Sequence, residues 1–479
     1  MTLIKSISGI RGTIGGTPGE ALTPVDAVKF AAAFGTWIKS RQGTRLPALR
    51  TTSGGGRNGQ EKVVIGRDAR SSGEMISQLV SATLQGLGLH VIDLGLSTTP
   101  TVEIAVTREK AGGGIILTAS HNPVQWNALK LLNEKGEFIS GADGAAVLKI
   151  AEEEKFDFAP VEKLGSYTRN NSYLQKHIDL ILKHKWVDKK AIQNSKFKIA
   201  VDAVNSSGGI VVPQLLKALG VKKVVELYCE PNGKFPHNPE PLPEHLTAIC
   251  KIVKKEKCDL GIVVDPDVDR LALIQEDGKP FGEEYTLVAV ADYVLSKKKG
   301  NTVSNLSSTR ALRDVTENRG GSYAAAAVGE VNVVTKMKET NAVIGGEGNG
   351  GIIVPNFHFG RDALIGIALF LTHLAKIKLK ASELRKTYPA YFISKNKIEL
   401  TPNINVDNVL EKIKSKYALD NINTVDGVKI DFEKEREWVH LRKSNTEPII
   451  RIYAESQSEQ KANDLAQRII QDIKAIVGG

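Results

Sequence analysis

The sequence predicts an α/β protein: three similar α/β units, followed by a small α+β domain that closes the chain. Length is the first observation behind this. The 479 residues exceed one hydrophobic core, and about 150 residues per domain gives three or four domains. The second is a repeated grammar in two interleaved series. "KVVIGRDARSSGE", "FKIAVDAVNSSGG" and "GNTVSNLSSTR" each run a short apolar strand into a polar loop. "GGGIILTASHNP", "CDLGIVVDPDVDR" and "TNAVIGGEGNGG" each run one into Gly, Ser, Asn or acidic residues. Two alternating series imply copies of one unit rather than a single large sheet, each presenting loops at strand ends, where open α/β sheets bind ligands. The third is the tail, where the strand-like runs "TVDGVKIDF", "WVHLRKS" and "IIRIYAES" follow one another and lead to a final helix.

Taken in order, Thr23-Pro24 is an N-cap with proline at the first helical position, and opens a helix to Ser40. The 43–62 stretch is rich in Gly, Ser, Thr and Arg without periodicity and reads as a surface insertion. Its "GGGRNGQEK" lacks the GxxxxGK[ST] pattern of a phosphate loop. Turn residues in "LGSYTRNNSYLQKHI" mark a boundary near 165. Five prolines between Pro231 and Pro243 make an extended segment that cannot be helix interior or central strand. In the tail, Ser456 and Glu459 read as a capping box; Leu465, Ile469, Ile473 and Ile476 form one apolar stripe, and Gly478 ends it. The expected domains are 1–165, 166–272, 273–388 and 389–479.

Composition excludes several classes of function. Apolar residues are 41% and charged residues 25%, a globular balance. No run approaches the roughly 18 apolar residues of a membrane span, and no signal core opens the chain, so a soluble cytoplasmic protein without membrane partners is expected. Cys229, Cys250 and Cys258 have neither disulfide nor zinc spacing. The net charge of +10 is scattered in short lysine clusters without interleaved aromatics. It reads as a bias toward small anions rather than a nucleic-acid surface.

Four loops carry chemistry. Asp265, Asp267 and Asp269 alternate along an extended loop after the apolar "LGIVV", so three hard oxygens face one way, as a divalent metal requires. Glu276 falls where an EF-hand would place its last ligand, but Arg270 occupies the glycine position and a strand precedes the loop. An aspartyl-phosphate enzyme would also use an Asp-x-Asp, although the third acid favours a metal. Gly346, Gly348 and Gly351 fit GxGxxG, yet the β-branched run and Pro355 that follow give no helix to meet a pyrophosphate. This leaves a glycine loop with Glu347 and Asn349, suited to sugar hydroxyls, or a plain tight turn. Arg442, Ser444, Asn445, Thr446 and Arg451 combine guanidinium forks, hydroxyls and loop amides suited to phosphate, between two strands. In Ser120-His121-Asn122-Pro123, Ser120 is a nucleophile if His121 or Lys130 takes its proton; a turn or helix cap explains the stretch equally well.

Together these loops, with Gly9-Ile10-Arg11-Gly12, Gly66-Arg67-Asp68 and the Phe235 to Pro243 stretch, resemble the α-D-phosphohexomutase family in order and spacing over essentially the whole chain. The resemblance implies three α/β/α phosphohexomutase units and a C-terminal domain around a central cleft. It implies a phosphorylated Ser120 that passes its phosphate to a hexose monophosphate, forms a hexose 1,6-bisphosphate and takes back the other phosphate. By match, Asp265, Asp267, Asp269 and the Ser120 phosphate hold one Mg2+. Glu347 and Asn349 bind sugar hydroxyls, and Arg442, Ser444, Asn445, Thr446 and Arg451 grip the phosphate that is not reacting. Arg11 and Arg270 supply positive charge near the serine. Lys130 is the expected acid/base, provided neighbouring cations lower its pKa, with His121 in support. Many bacterial members place a histidine where this chain has Gly351, and His358 lies seven residues later. The resemblance points to glucosamine phosphate as substrate, with glucose or mannose phosphate as the alternative, and to a monomer or homodimer. A metal-dependent phosphatase using Asp265, and a non-catalytic sugar-phosphate binder, are the readings from other classes.

Overall fold

The computed structural model describes residues 2–6, 9–43, 61–399, 404–443 and 449–478. Residues 44–60 of the expected insertion, and Ser444, Asn445 and Thr446, lie outside the described residues. The chain divides into two compact units, Met1–Thr286 with Gly350–Ser382, and Leu287–Asn349 with Glu383–Gly479.

The first unit contains two sheets. Strands β1 (Leu3–Ser6), β2 (Gly9–Thr13), β3 (Lys62–Arg67), β4 (His90–Leu96), β5 (Gly113–Leu117), β6 (Trp126–Leu132) and β7 (Tyr167–Arg169) order as β1-β2-β6-β5-β3-β4-β7. Val63, Ile65, Ile115 and Leu117 face one apolar core and Val64, Ile92 and Ile116 another. Period-two alternation with both faces buried is why these strands read as continuous apolar runs. The sheet extends past residue 165, because β7 pairs in parallel with β4. Strands β8 (Lys198–Asp202), β9 (Lys223–Leu227), β10 (Leu260–Val264) and β11 (Leu271–Gln275) form the second sheet, β11-β10-β8-β9. The helix after the Thr23 cap runs Pro24–Gly43, with Thr23 Oγ1 donating to Asp26 Oδ2 at 2.5 Å. Strand β15 (Gly351–Ile353), rather than a helix, follows the glycine loop.

In the second unit β12 (Thr302–Asn305) is flanked in parallel by β13 (Tyr323–Ala326) and β14 (Ile344–Glu347). An antiparallel sheet, β16-β20-β19-β18-β17, follows, made of β16 (Phe392–Glu399), β17 (Asn421–Asn423), β18 (Val428–Phe432), β19 (Glu437–Lys443) and β20 (Ile449–Ser456). Leu465, Ile469 and Ile473 of the helix Glu459–Gly478 enter its core, as the stripe predicts. The cap is corrected: Ser458 Oγ accepts from Lys461 N at 3.3 Å, whereas Ser456 is the last residue of β20 and donates to Glu437. Among the described residues no helix is long and apolar enough to cross a membrane.

The repeat shows in the register. β3 lies parallel to β5, β8 to β10 and β12 to β14, and β4, β9 and β13 flank the other side of β3, β8 and β12. The serine loop, the acidic loop and the glycine loop therefore leave equivalent strand ends.

Candidate active site

Ser120 follows β5 in the left-handed region, at φ 49°. A non-glycine residue there is strained and must be over-determined by its surroundings. Arg70, 1% exposed, supplies the restraint. Its Nη2 donates to the carbonyls of Ser120 and Asn122, both at 2.6 Å, and its Nη1 to those of Pro123 at 2.6 Å and Trp126 at 3.1 Å. Nε donates to Asp68 Oδ2 at 3.0 Å, and the Phe235 ring of the proline-rich stretch lies 5.0 Å from the guanidinium. One planar fork thus spends its donors on the backbone of a single loop. The Ser120 hydroxyl, 2.9 Å away, donates to Asp265 Oδ2.

The acidic loop leaves β10 fully buried, and one ligand oxygen from each of Asp265, Asp267 and Asp269 lies within 4.8 Å of the others. Val268 between them has φ 63°, a true outlier for a β-branched residue. Burial, and then the charges of Asp269 and Asp267, push the Asp265 carboxyl well above its ordinary value. Asp267 is held below its ordinary value because the Lys130 ion pair and the Thr99 hydroxyl outweigh its burial. Asp267 Oδ1 and Asp269 Oδ1 are buried and accept no hydrogen bond among the described residues. Three crowded carboxylates, two of them with a buried oxygen that accepts no hydrogen bond among the described residues, fit a hard divalent cation.

A cavity of about 230 Å³ is lined by Gly9, Arg11, Thr118, Ser120, His121 and Lys130. Register puts Gly9 opposite Lys130 across β2 and β6, so Arg11, two residues on, shares that face. A side chain at Gly9, whose φ is 150°, would meet the Leu129 carbonyl at 2.5 Å. Arg270 Nη1 lies 3.4 Å from Glu240 Oε1. His121 Nδ1 stands 3.5 Å from Ser120 Oγ. Burial and then the charges of Arg270, Lys130 and Arg361 lower the His121 pKa to about 2, so the ring is neutral. The condition set for Lys130 is not met. Its burial favours the neutral amine, but Asp267 Oδ2 at 2.7 Å and Asp269 Oδ2 at 3.5 Å outweigh this and raise its pKa above that of an ordinary lysine.

His358 is also decided. Its Nε2 bonds Asp362 Oδ2 at 3.1 Å and its Nδ1 faces Glu103 Oε2 at 3.3 Å, while His177 Nε2 reaches the same Asp362 oxygen at 3.0 Å. Those carboxylates outweigh its burial and raise its pKa to about 10. One ring nitrogen is hydrogen-bonded and the other ion-paired, so His358 acts as a half-buried cation within the first unit.

In the second unit Glu347 Oε1 accepts from Asn305 Nδ2 at 2.9 Å and from Gly329 N at 3.0 Å, and Gly348 N donates to Ser308 Oγ at 2.9 Å. Asn349 closes this loop. Arg442 and Arg451 face each other across β19 and β20, and Lys397 of β16 lies opposite Arg451. Like charges directly opposite are unfavourable in a sheet, and an anion above the row would relieve them. Arg442 Nε is 2.8 Å from Asp426 Oδ2.

The sequence argument missed Arg70, Thr99 and Arg361. Arg70 lies in the same Arg-Asp-x-Arg turn as Asp68, a signal available in the sequence. Thr99 and Arg361 reach the acidic loop from far along the chain, and no local pattern marks them.

The fold defines an α/β protein of repeated units with polar loops at equivalent strand ends, and comparison with known proteins fixes the family. Family models described as phosphoglucomutase/phosphomannomutase match in four consecutive pieces: alpha/beta/alpha domain I over 3–158, domain II over 175–278, domain III over 282–391 and the C-terminal domain over 398–472. The chain belongs to this phosphohexomutase family, whose members are isomerases. A Thermococcus kodakarensis phosphoglucomutase/phosphomannomutase is 36% identical over 95% of this chain and 96% of its own length. A Sulfurisphaera tokodaii phosphoglucosamine/phosphogalactosamine mutase is 30% identical over 98% of each chain. The solved structure of a phosphoglucomutase/phosphomannomutase family protein from Burkholderia thailandensis aligns with a TM-score of 0.83 at 25% identity, covering 98% of this chain and 97% of that one.

Proposed function

We propose that the chain moves a phosphoryl group between O6 and O1 of a hexose phosphate through phosphorylated Ser120 and a 1,6-bisphosphate. Glucosamine 6-phosphate to glucosamine 1-phosphate is the leading reaction, with glucose and mannose phosphates as the alternatives. The single observation that carries this is the strained, braced Ser120 donating its hydroxyl into the buried acidic trio. Asp265, Asp267, Asp269 and the Ser120 phosphate would hold one Mg2+, which when bound offsets charge on the phosphoryl oxygens.

Around it, Arg11 and Arg270 orient the phosphoryl group and add positive charge. Lys130 holds a proton at Nζ for the sugar oxygen, and neutral His121 supports Ser120 Oγ. In the second unit Glu347 and Asn349 take sugar hydroxyls, while Arg442, Ser444, Asn445, Thr446 and Arg451 take the idle phosphate. The proposed domains keep their loops, 1–165 with the serine, 166–272 with the trio, 273–388 with the glycine loop and 389–479 with the phosphate loop.

The phosphatase reading is weaker, because Asp265, its nucleophile, has both oxygens engaged: Oδ1 accepts from the backbone N–H groups of Asp269 and Arg270, and Oδ2 from the Ser120 hydroxyl. Intact-mass measurement tests the choice. One phosphoryl group, lost together with mutase turnover in Ser120→Ala, is expected; phosphate release that survives Ser120→Ala would overturn the mutase. Comparing kcat/KM for glucosamine, glucose and mannose 6-phosphates ranks the substrates. The names of the Thermococcus and Sulfurisphaera relatives support sugars of both kinds.

A further inference from the structure

The carboxylates of the trio are each presented one-sidedly. Asp267 Oδ2 accepts from Lys130 Nζ at 2.7 Å and from Thr99 Oγ1 at 2.6 Å. Asp269 Oδ2 accepts from Arg361 Nη2 at 2.6 Å. Among the described residues, Oδ1 of each is without a hydrogen bond, and Arg270 Nε stands 4.0 Å from that of Asp269. Asp265 spends Oδ1 on the backbone N–H groups of Asp269 and Arg270 and Oδ2 on Ser120.

Arg361 is fixed from behind. It is 8% exposed and precedes Asp362, whose Oδ1 caps the helix Ala363–Ile377 through Leu364 N at 2.8 Å and Ile365 N at 3.2 Å. Asp362 Oδ2 is held by His177 and His358. On the other side, a side chain at Gly360 would collide with the Glu103 carboxylate. Ala363 N donates to the Val268 carbonyl at 3.2 Å, tying this segment to the acidic loop itself.

We propose that Arg361 is a specificity-determining residue for the cation of this site: by occupying Asp269 Oδ2 it restricts that carboxylate to one oxygen. The inference rests on the metal reading of the trio proposed above. Mg2+ demands six ligands in near-ideal geometry and uses carboxylates through single oxygens, whereas Ca2+ takes six to eight and accepts both oxygens of one group. A clamp on Oδ2 therefore disfavours the larger ion. Thr99 and Lys130 do the same to Asp267.

The test is calorimetric titration of the full-length, dephosphorylated protein with Mg2+ and with Ca2+. In Arg361→Gln the ratio of the Ca2+ to the Mg2+ dissociation constant is expected to fall about tenfold, the scale of losing a group that holds a metal ligand. Arg361→Lys, which keeps the charge without the fork, should fall between that and wild type. Should Arg361→Gln not fold, Arg361→Lys and Thr99→Val carry the measurement, each expected to shift the ratio the same way. Equal weakening of both ions, or an unchanged ratio, overturns the inference and assigns Arg361 a structural role. Wild type that binds neither ion overturns the metal reading as well, which separates the two failures.

Discussion

The serine loop and the glycine loop occupy the same place in repeated units, yet they are braced by different chemistry. Behind the first stands Arg70, from the loop after β3, with its donors on four backbone carbonyls. Behind the second stand the uncharged side chains of Asn305 and Ser308, at the end of β12, bonded to Glu347 Oε1 and Gly348 N. The acidic loop lies between these extremes: Ser206 and Ser207, after β8, donate to the Pro266 carbonyl at 2.7 and 3.0 Å. In every copy the loop after the first-series strand braces the loop after the second. The brace is charged where the backbone is left-handed at Ser120, and uncharged where the loop offers a carboxylate and an amide.

Removing the charged brace is the severest way to break this contrast. Arg70→Met strands the buried carboxylate of Asp68 and removes four hydrogen bonds to backbone carbonyls, and is expected to cost about 4 kcal/mol by denaturant unfolding. The folded fraction should also fail to phosphorylate Ser120; full phosphorylation would show that the strain needs no brace. Next comes pH, read in the second unit through Glu455. Glu455, fully buried, accepts from Arg310 N at 2.9 Å and Trp438 Nε1 at 2.7 Å just beyond the Asn305–Ser308 brace. Burial outweighs these bonds and raises its pKa to about 7. With the folded value above the unfolded one, the folded state holds the extra proton. Stability is therefore complete below about pH 4.5 and falls as pH rises through 7, by on the order of 3 kcal/mol. Glu455→Gln should flatten that part of the stability profile; an unchanged slope refutes the assignment.

Smaller effects sharpen the comparison. Asn305→Ala removes one donor to Glu347 and should raise KM about tenfold with little change in kcat, since it touches binding rather than transfer. A fall in kcat alone would move Glu347 from sugar contact to chemistry. Ser206→Ala leaves Ser207 on Pro266 and should cost only about 1 kcal/mol of stability. A loss as large as that of Arg70→Met would make the acidic loop as dependent on its brace as the serine loop is.

Much of this was legible from single stretches. Each apolar strand and the polar loop after it sit within a dozen residues, so Ser120, the Asp265-Asp267-Asp269 set, Glu347 and the Arg442–Arg451 pair could be chosen as candidates, and the three-copy layout followed. The capping box slipped by two residues because Ser456 is still in β20, where a cross-strand partner competes for its hydroxyl. Lys130 was expected near neutrality on the assumption of cationic neighbours, and its actual neighbour is Asp267. Whether His358 takes the place of the histidine absent at Gly351 was open in the sequence, and its two carboxylate partners lie at distant chain positions.

The sequence by itself determined the repeat, the residue types at each strand end and the family, since these depend on local periodicity and motif order. The tertiary structure decided protonation, strain and bracing. Whether Lys130 is charged, why Ser120 tolerates a left-handed backbone and which oxygens of Asp269 remain open are set by Asp267, Arg70 and Arg361. Those partners are brought close by packing from distant parts of the chain, and electrostatic and hydrogen-bond energies fall off over a few ångströms of space rather than with separation along the sequence.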